Sequence, residues 1–104
     1  MAEEPMVYIN VIEVRGEVVV AICDEDLLGA KLIGEDFVLH VNERFYGGER
    51  VPLSYAMSKA REATILNLVG KNAVSAAIRE GLVHPEAVLH VAGVPHAQAV
   101  KMPY

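Results

Sequence analysis

The feature that most limits the fold lies near the N-terminus, where residues 6–23 form two apolar, β-branched stretches split by Arg15-Gly16. Val, Ile and Tyr at this density favour extended backbone, and a two-residue turn ending in Gly joins antiparallel strands. The segment reads as a hairpin with strands over residues 6–14 and 17–23. Side chains alternate across a strand, so Val7, Ile9 and Val11 take one face while Tyr8, Ile12 and Val14 take the other. A sheet with one wet face does not need both sets to be apolar. Both faces are therefore expected to be covered, one by a helix layer and the other by a partner subunit.

Size and composition bound what can do the covering. A chain of 104 residues suits a single domain, 1–104, with residues 1–5 expected as a flexible tail. The hydrophobic share of 53% exceeds the usual globular level, so burial against a second copy, a homodimer, is one expectation. No apolar run reaches the length of a membrane helix, and the first residues lack the basic and apolar regions of a signal peptide. A cytoplasmic protein without a membrane partner is expected. Nine Lys and Arg against fourteen Asp and Glu give a net charge of −5. That balance disfavours general duplex DNA binding and leaves open a local basic patch for RNA. Cys23 is the only cysteine, which excludes an intrachain disulfide and a paired-cysteine zinc site. Three acids follow it, so it reads as a buried small hydrophobe rather than a reactive thiolate.

Beyond the hairpin, Asp24 to Gly29 reads as a single turn capped by Asp24, residues 31–33 as a short strand, Gly34-Glu35-Asp36 as a turn and residues 37–41 as a better strand. Residues 42–50 have no period and form a first loop. From residue 53 the pattern turns helical. Leu53, Ala56, Met57, Ala60, Ala63, Thr64, Asn67 and Leu68 share a stripe at 3.6 residues per turn, with Ser54 as N-cap and Gly70 as stop. A second helix follows over residues 72–80, with Asn72 as N-cap and Leu82 folding back on Ala77 behind Gly81. The two helices form a short-loop pair. Residues 88–91 read as a strand, 93–98 as a second loop and 99–102 as a last strand. Residues 36–41 and 86–91 echo one another, and chance convergence on a good strand explains the echo. Strands, helices and strands again predict an α+β two-layer sandwich, a mostly antiparallel sheet with a pair of helices on one face.

Chemistry is expected in the two loops. Arg44, Phe45, Tyr46, Gly47, Gly48 and Arg50 combine aromatic faces for a base, guanidinium groups for phosphate and glycines that admit close approach. The competing structural account makes Phe45 or Tyr46 a core plug and the glycines a turn. In the second loop, His96 is a candidate acid or base and Gln98 a candidate orienting amide, against a purely structural hydrogen bond from His96 to a carbonyl. Asn67 falls on the inward stripe of the expected long helix, where its amide must find a partner and is expected to tie the helix to a loop backbone, with a ligand contact as the lesser alternative. His40, His84, His90 and His96 lack metal-ligand spacing, and Asp24-Glu25-Asp26 lacks the alternating oxygens of a calcium loop. No metal, cofactor or catalytic residue is assigned.

Four segments taken in order, Cys23 to Gly29, Glu43 to Glu49, Glu62 to Gly70 and Gly93 to Gln98, resemble a family of small archaeal proteins known as domain of unknown function 424. The resemblance spans nearly the whole chain from the first hairpin. It implies a two-layer α+β fold and an archaeal intracellular setting, and it names no activity and no site residue. An RNA-binding or translation-associated role is no more than a suggestion that comes with the resemblance. Three functions follow as expectations. The first is a binding module for RNA or a ribonucleoprotein. The second is a small enzyme or metabolite-binding protein with a pocket between the 44–50 and 93–98 loops. The third is an oligomeric structural protein.

Overall fold

Strands β1 (Met6–Val14) and β2 (Glu17–Asp24) form the expected hairpin, closed by a turn in which Arg15 and Gly16 have φ of 50° and 81°. Two left-handed residues in succession give the turn whose twist matches that of the strands it joins. These elements belong to a computed structural model that describes residues 4–101. Strands β3 (Lys31–Ile33) and β4 (Val38–His40) make a small second sheet. A single helical turn, α1 (Glu43–Tyr46), and strand β5 (Glu49–Pro52) follow. Then come α2 (Leu53–Ala60), β6 (Ile65–Val69), α3 (Lys71–Arg79), β7 (Leu89–Val91) and β8 (Val94–Val100). The main sheet runs β5-β1-β2-β6-β8-β7, antiparallel throughout except for the parallel pair β2 and β6. It is an α+β fold, as expected.

The expected long helix is corrected. Helix α2 ends at Ala60, and residues 65–69 form a central strand. The stripe through residue 68 arose because small residues fit both periods. The apolar side chains all round its end, Ile65, Leu66, Leu68 and Val69, mark a strand buried on both faces. Thr64 fixes the change of direction: its N–H donates to the carbonyl of Val18 at 2.9 Å, and its hydroxyl oxygen accepts from the N–H of Val18 at 2.8 Å. The helices are therefore joined through a strand rather than a short loop, although they still pack side by side on one face. The second expected loop is also mostly strand. Only Ala92 and Gly93 make the turn between β7 and β8, and the last strand starts at Val94 instead of residue 99. Met102 lies outside the described residues. The two echoing segments end in short strands of different sheets.

The capping assignments change as well. Ser54 is not the N-cap of α2, since Pro52 holds that position. Glu4 accepts hydrogen bonds from the N–H and hydroxyl of Ser54 instead, at 2.6 and 3.0 Å. Asn72 lies inside α3, behind Gly70 at the cap. Asp24 caps α3 rather than its own turn: its carboxylate oxygens accept from the N–H groups of Asn72 and Ala73 at 3.0 and 2.9 Å. Gly70 is required there. Its φ is +112°, and any Cβ would strike the Asp24 carboxyl group. The far end of α3 closes as expected, with the N–H of Leu82 donating to the carbonyl of Ala77 at 2.9 Å.

One core lies between the sheet and helices, built from Val7, Ile9, Val20, Ile22, Leu66 and Leu68 against Ala56, Met57, Val74 and Ala77. A smaller one lies on the opposite face, where residues 25–46 lay Leu32, Val41 and Tyr46 over Ala21, Cys23, Val69 and Val91. This partial third layer, not a second subunit, covers the upper half of that face.

Asp24 generates a prediction. Burial raises its pKa above the ordinary 3.8, more than its two backbone donors lower it. The native state thus holds this proton more tightly than the unfolded state. The Asp24 contribution is complete below the unfolded pKa and declines as pH rises through the raised folded value. Urea unfolding at stepped pH from 3 to 6 is expected to show the stability of wild type relative to Asp24→Asn falling across that window. Asp24→Ala, which removes both acceptors, should cost about 2 kcal/mol.

Candidate functional site

Strand register aligns side chains into rows on the face opposite the helices. Asn10 on β1 faces Ala21 on β2, Ala21 faces Asn67 on β6, and Asn67 faces Gln98 on β8. Two residues along lies the row Tyr8, Cys23, Val69 and His96, beneath the partial third layer. The polar row sits where that layer stops. An open groove of about 680 Å³ runs along this boundary, lined by Ile12, Leu39, His40, Asn42, Arg44, Phe45, Tyr46, Asn67, His96 and Gln98.

The floor is built from the three residues that the second loop and the misplaced helix stripe had supplied. Asn67 is only 8% exposed, and its Oδ1 accepts from Nε2 of Gln98 at 2.8 Å. Its partner is thus a neighbouring strand's amide and not a loop backbone, a correction that follows from residue 67 lying on β6. The pair leaves the NH2 group of one amide and the carbonyl oxygen of the other free of the bond between them, and turning both amides together only exchanges which is which. His96 stands 2.9 Å from the carbonyl oxygen of Leu68 through Nδ1. A carbonyl only accepts, so Nδ1 carries the hydrogen and Nε2 of the neutral ring keeps its lone pair. The structural hydrogen bond weighed for His96 is present.

The wall is α1. Asn42 caps it through Oδ1, which accepts from the N–H groups of Arg44 and Phe45 at 2.8 and 3.2 Å. Asn10 holds its other side to the sheet, donating from Nδ2 to the carbonyls of Arg44 and Phe45 at 3.1 and 3.0 Å. Tyr46 plugs the second core at 4% exposure, and burial pushes its hydroxyl up to about 12. Its ring meets that of Phe45 edge to face, centroids 5.0 Å apart, which orients the half-buried Phe45 ring.

Of the nine residues predicted for the site, Arg44, Phe45, Tyr46, Asn67, His96 and Gln98 meet at this groove. Gly47, Gly48 and Arg50 do not line it. A Cβ on Gly47 would strike the carbonyl of Glu43 and one on Gly48 that of Ile9, so these glycines allow α1 to turn back against β1. Arg50 pairs with Glu25 at 2.5 Å. Sequence reasoning missed Ile12, Leu39 and Asn42 in the lining, never connected His40 to it, and passed over Asn10. An amide inside a β-branched run was the available signal for Asn10, the same anomaly that drew attention to Asn67. Among the described residues no three His, Cys, Asp or Glu side chains gather as metal ligands, and no helix is long and apolar enough to cross a membrane.

Comparison with known proteins places this architecture. A family model described as "Protein of unknown function (DUF424)" matches residues 12–102. The chain belongs to that family. It is similar to a solved structure, the crystal structure of an uncharacterized conserved protein from Methanopyrus kandleri, with 32% identity and a TM-score of 0.78. The match covers 95% of this chain and 96% of that one. No curated protein matches.

Cys23 lies beneath the groove wall with no exposed surface, and burial, then Asp24, push its thiol up to about 12. The native protein is expected to resist thiol reagents at pH 8 and to react with one equivalent once unfolded in denaturant. A stoichiometric reaction of the native fold would contradict the packing of Tyr46 over β2.

Proposed function

We propose that the chain is a binding module for single-stranded RNA, free or within a ribonucleoprotein, and that the groove is its contact surface. The composition of the lining carries this reading. In a chain of net charge −5, the groove presents the Arg44 guanidinium and no carboxylate. An anion meets repulsion over much of the surface and attraction here. Phe45 supplies a ring on which a base can stack, Arg44 a phosphate contact, and the Asn67–Gln98 pair a donor and acceptor for a base edge. A cytoplasmic setting is part of the same proposal. The enzyme alternative, with His96 as acid or base, needs a nucleophile or carboxylate beside the imidazole. The lining contains no Ser, Thr, Cys, Asp or Glu, which favours binding over catalysis.

The reading is tested by fluorescence anisotropy with labelled transfer and ribosomal RNAs and by co-sedimentation with ribosomal fractions, at about 50 mM salt. Binding is expected. Arg44→Ala should weaken it about tenfold and lower the slope of log affinity against log salt by about 1. Arg50→Ala, which removes the exposed pair with Glu25, should leave it within about twofold. Absence of binding to every RNA and fraction would overturn the proposal.

A further inference from the structure

The groove is open at one end, and what lies there bears on the size of its ligand. Two residues along from the amide row, about 6.6 Å further down the strands, a third row crosses the sheet in register. Ile12 faces Val19, Val19 faces Ile65, and Ile65 faces Val100. This row spans about 14 Å, is wholly aliphatic, and lies beyond the partial third layer. Ile12, Val19 and Ile65 are half-buried, and Val100 is 65% exposed. Ile12 belongs to both the row and the groove lining, so the two surfaces are continuous. The first carboxylate on this face comes one row further out, at Glu17 opposite Val14. A flat apolar strip therefore adjoins the amide floor before a negative charge ends the face.

We propose that the groove binds a run of single-stranded RNA rather than one nucleotide, with the base next to the one held at Asn67 and Gln98 lying flat on the Ile12–Val19–Ile65–Val100 row. The inference rests on the reading of the groove as an RNA site. Row spacing carries it. Successive bases of an extended strand step by a distance similar to two residues of a β-strand, so a base anchored over the amide row delivers its neighbour to the aliphatic row. The strip is neutral and apolar, which suits a base face, while Arg44 on the groove wall takes the phosphate. Glu17 limits the footprint to about three nucleotides, because a phosphate carried past Val14 meets a like charge.

The test uses the full chain with a ribonucleoside monophosphate and with labelled oligoribonucleotides two, four and eight nucleotides long, read by calorimetry and anisotropy, with light scattering for mass. Affinity is expected to rise about tenfold or more from the monophosphate to the tetranucleotide. Val100→Glu should erase that gain while monophosphate binding stays within about twofold, and the neutral Val100→Ser should remove about two-thirds of the tetranucleotide affinity. Val100 is the exposed last residue of β8, so both variants are expected to fold, and retained monophosphate binding checks this directly. If only the longer ligands bind measurably, Val100→Ser decides by the same criterion. Three results would overturn the inference: a tetranucleotide bound no tighter than the monophosphate, Val100 variants without effect, or a wild-type dimer that Val100→Glu dissociates. The first two leave the groove reading intact. Failure of all ligands to bind removes both.

Discussion

The parallel pairing of β2 with β6 is the constraint on which the rest depends. Among the described residues it is the only parallel contact in the sheet, and it joins the N-terminal hairpin to the C-terminal strands. Parallel neighbours need a long crossover, and here that crossover carries the small sheet and α1 that cover one face, the edge strand β5, and α2, which covers the other face together with α3. Register is pinned at both ends. Thr64 clamps the start of β6 to Val18, and Asp24 at the end of β2 clamps the helix that follows β6. A slip of one residue would turn Leu66 and Leu68 toward the groove and Asn67 into the helix-facing core. The same pairing that completes the core thus sets the amide row.

That dependence explains why the sequence was legible in parts. The hairpin, its turn and the need to cover both faces followed from residues 6–23 alone, because β-branched density and an Arg-Gly turn are local signals. The Schellman stop after α3 was equally local. Residues 63–70 were misread because periodicity cannot separate a doubly buried strand from the end of a buried helix, and what separates them is the distant pairing with β2. Asp24 was assigned to its own turn for the same reason. Its true partners are Asn72 and Ala73, far along the chain. Most of the site survived the misreading, since Asn67 was singled out as an amide facing an apolar interior, and it faces one on β6 as it would have on the expected helix. An amide among apolar neighbours must be paired in any fold. The Gly93–Gln98 segment likewise kept His96 and Gln98 in view although it became a strand, in which alternation sends both to one face.

The groove exists because the third layer is incomplete. Residues 25–46 seal Ala21, Cys23 and Val69 from solvent and stop at the row of amides. An unpaired amide under that layer would cost about 1–3 kcal/mol, so the amide row marks the natural limit of a dry interior. Asn10 meets the requirement by binding the carbonyls of α1, and Asn67 by binding Gln98. One amide of the row therefore holds the wall in place while another forms the floor. Wall and floor are set by neighbouring positions on the same sheet, which makes the relative placement of Arg44, Phe45 and Asn67 a property of strand register instead of loop conformation.

Beyond the amide row the balance is different. A sheet of this width could have ended there in polar side chains, the usual form of a solvent-facing half-sheet. Instead Ile12, Val19, Ile65 and Val100 continue as an aliphatic strip with none of the described residues laid over it. Scattered apolar residues on a surface need no explanation, but four in register across four strands, touching a carboxylate-free groove, are a contiguous patch. The acidic residues that dominate the chain's charge are kept off this part of the face until Glu17. Both apolar exposure and charge exclusion oppose solubility, and both fall on the one face that the fold leaves half covered. Packing of the described residues accounts for neither, which is why the uncovered half of the sheet, more than either loop, is the surface on which the proposed contact is placed.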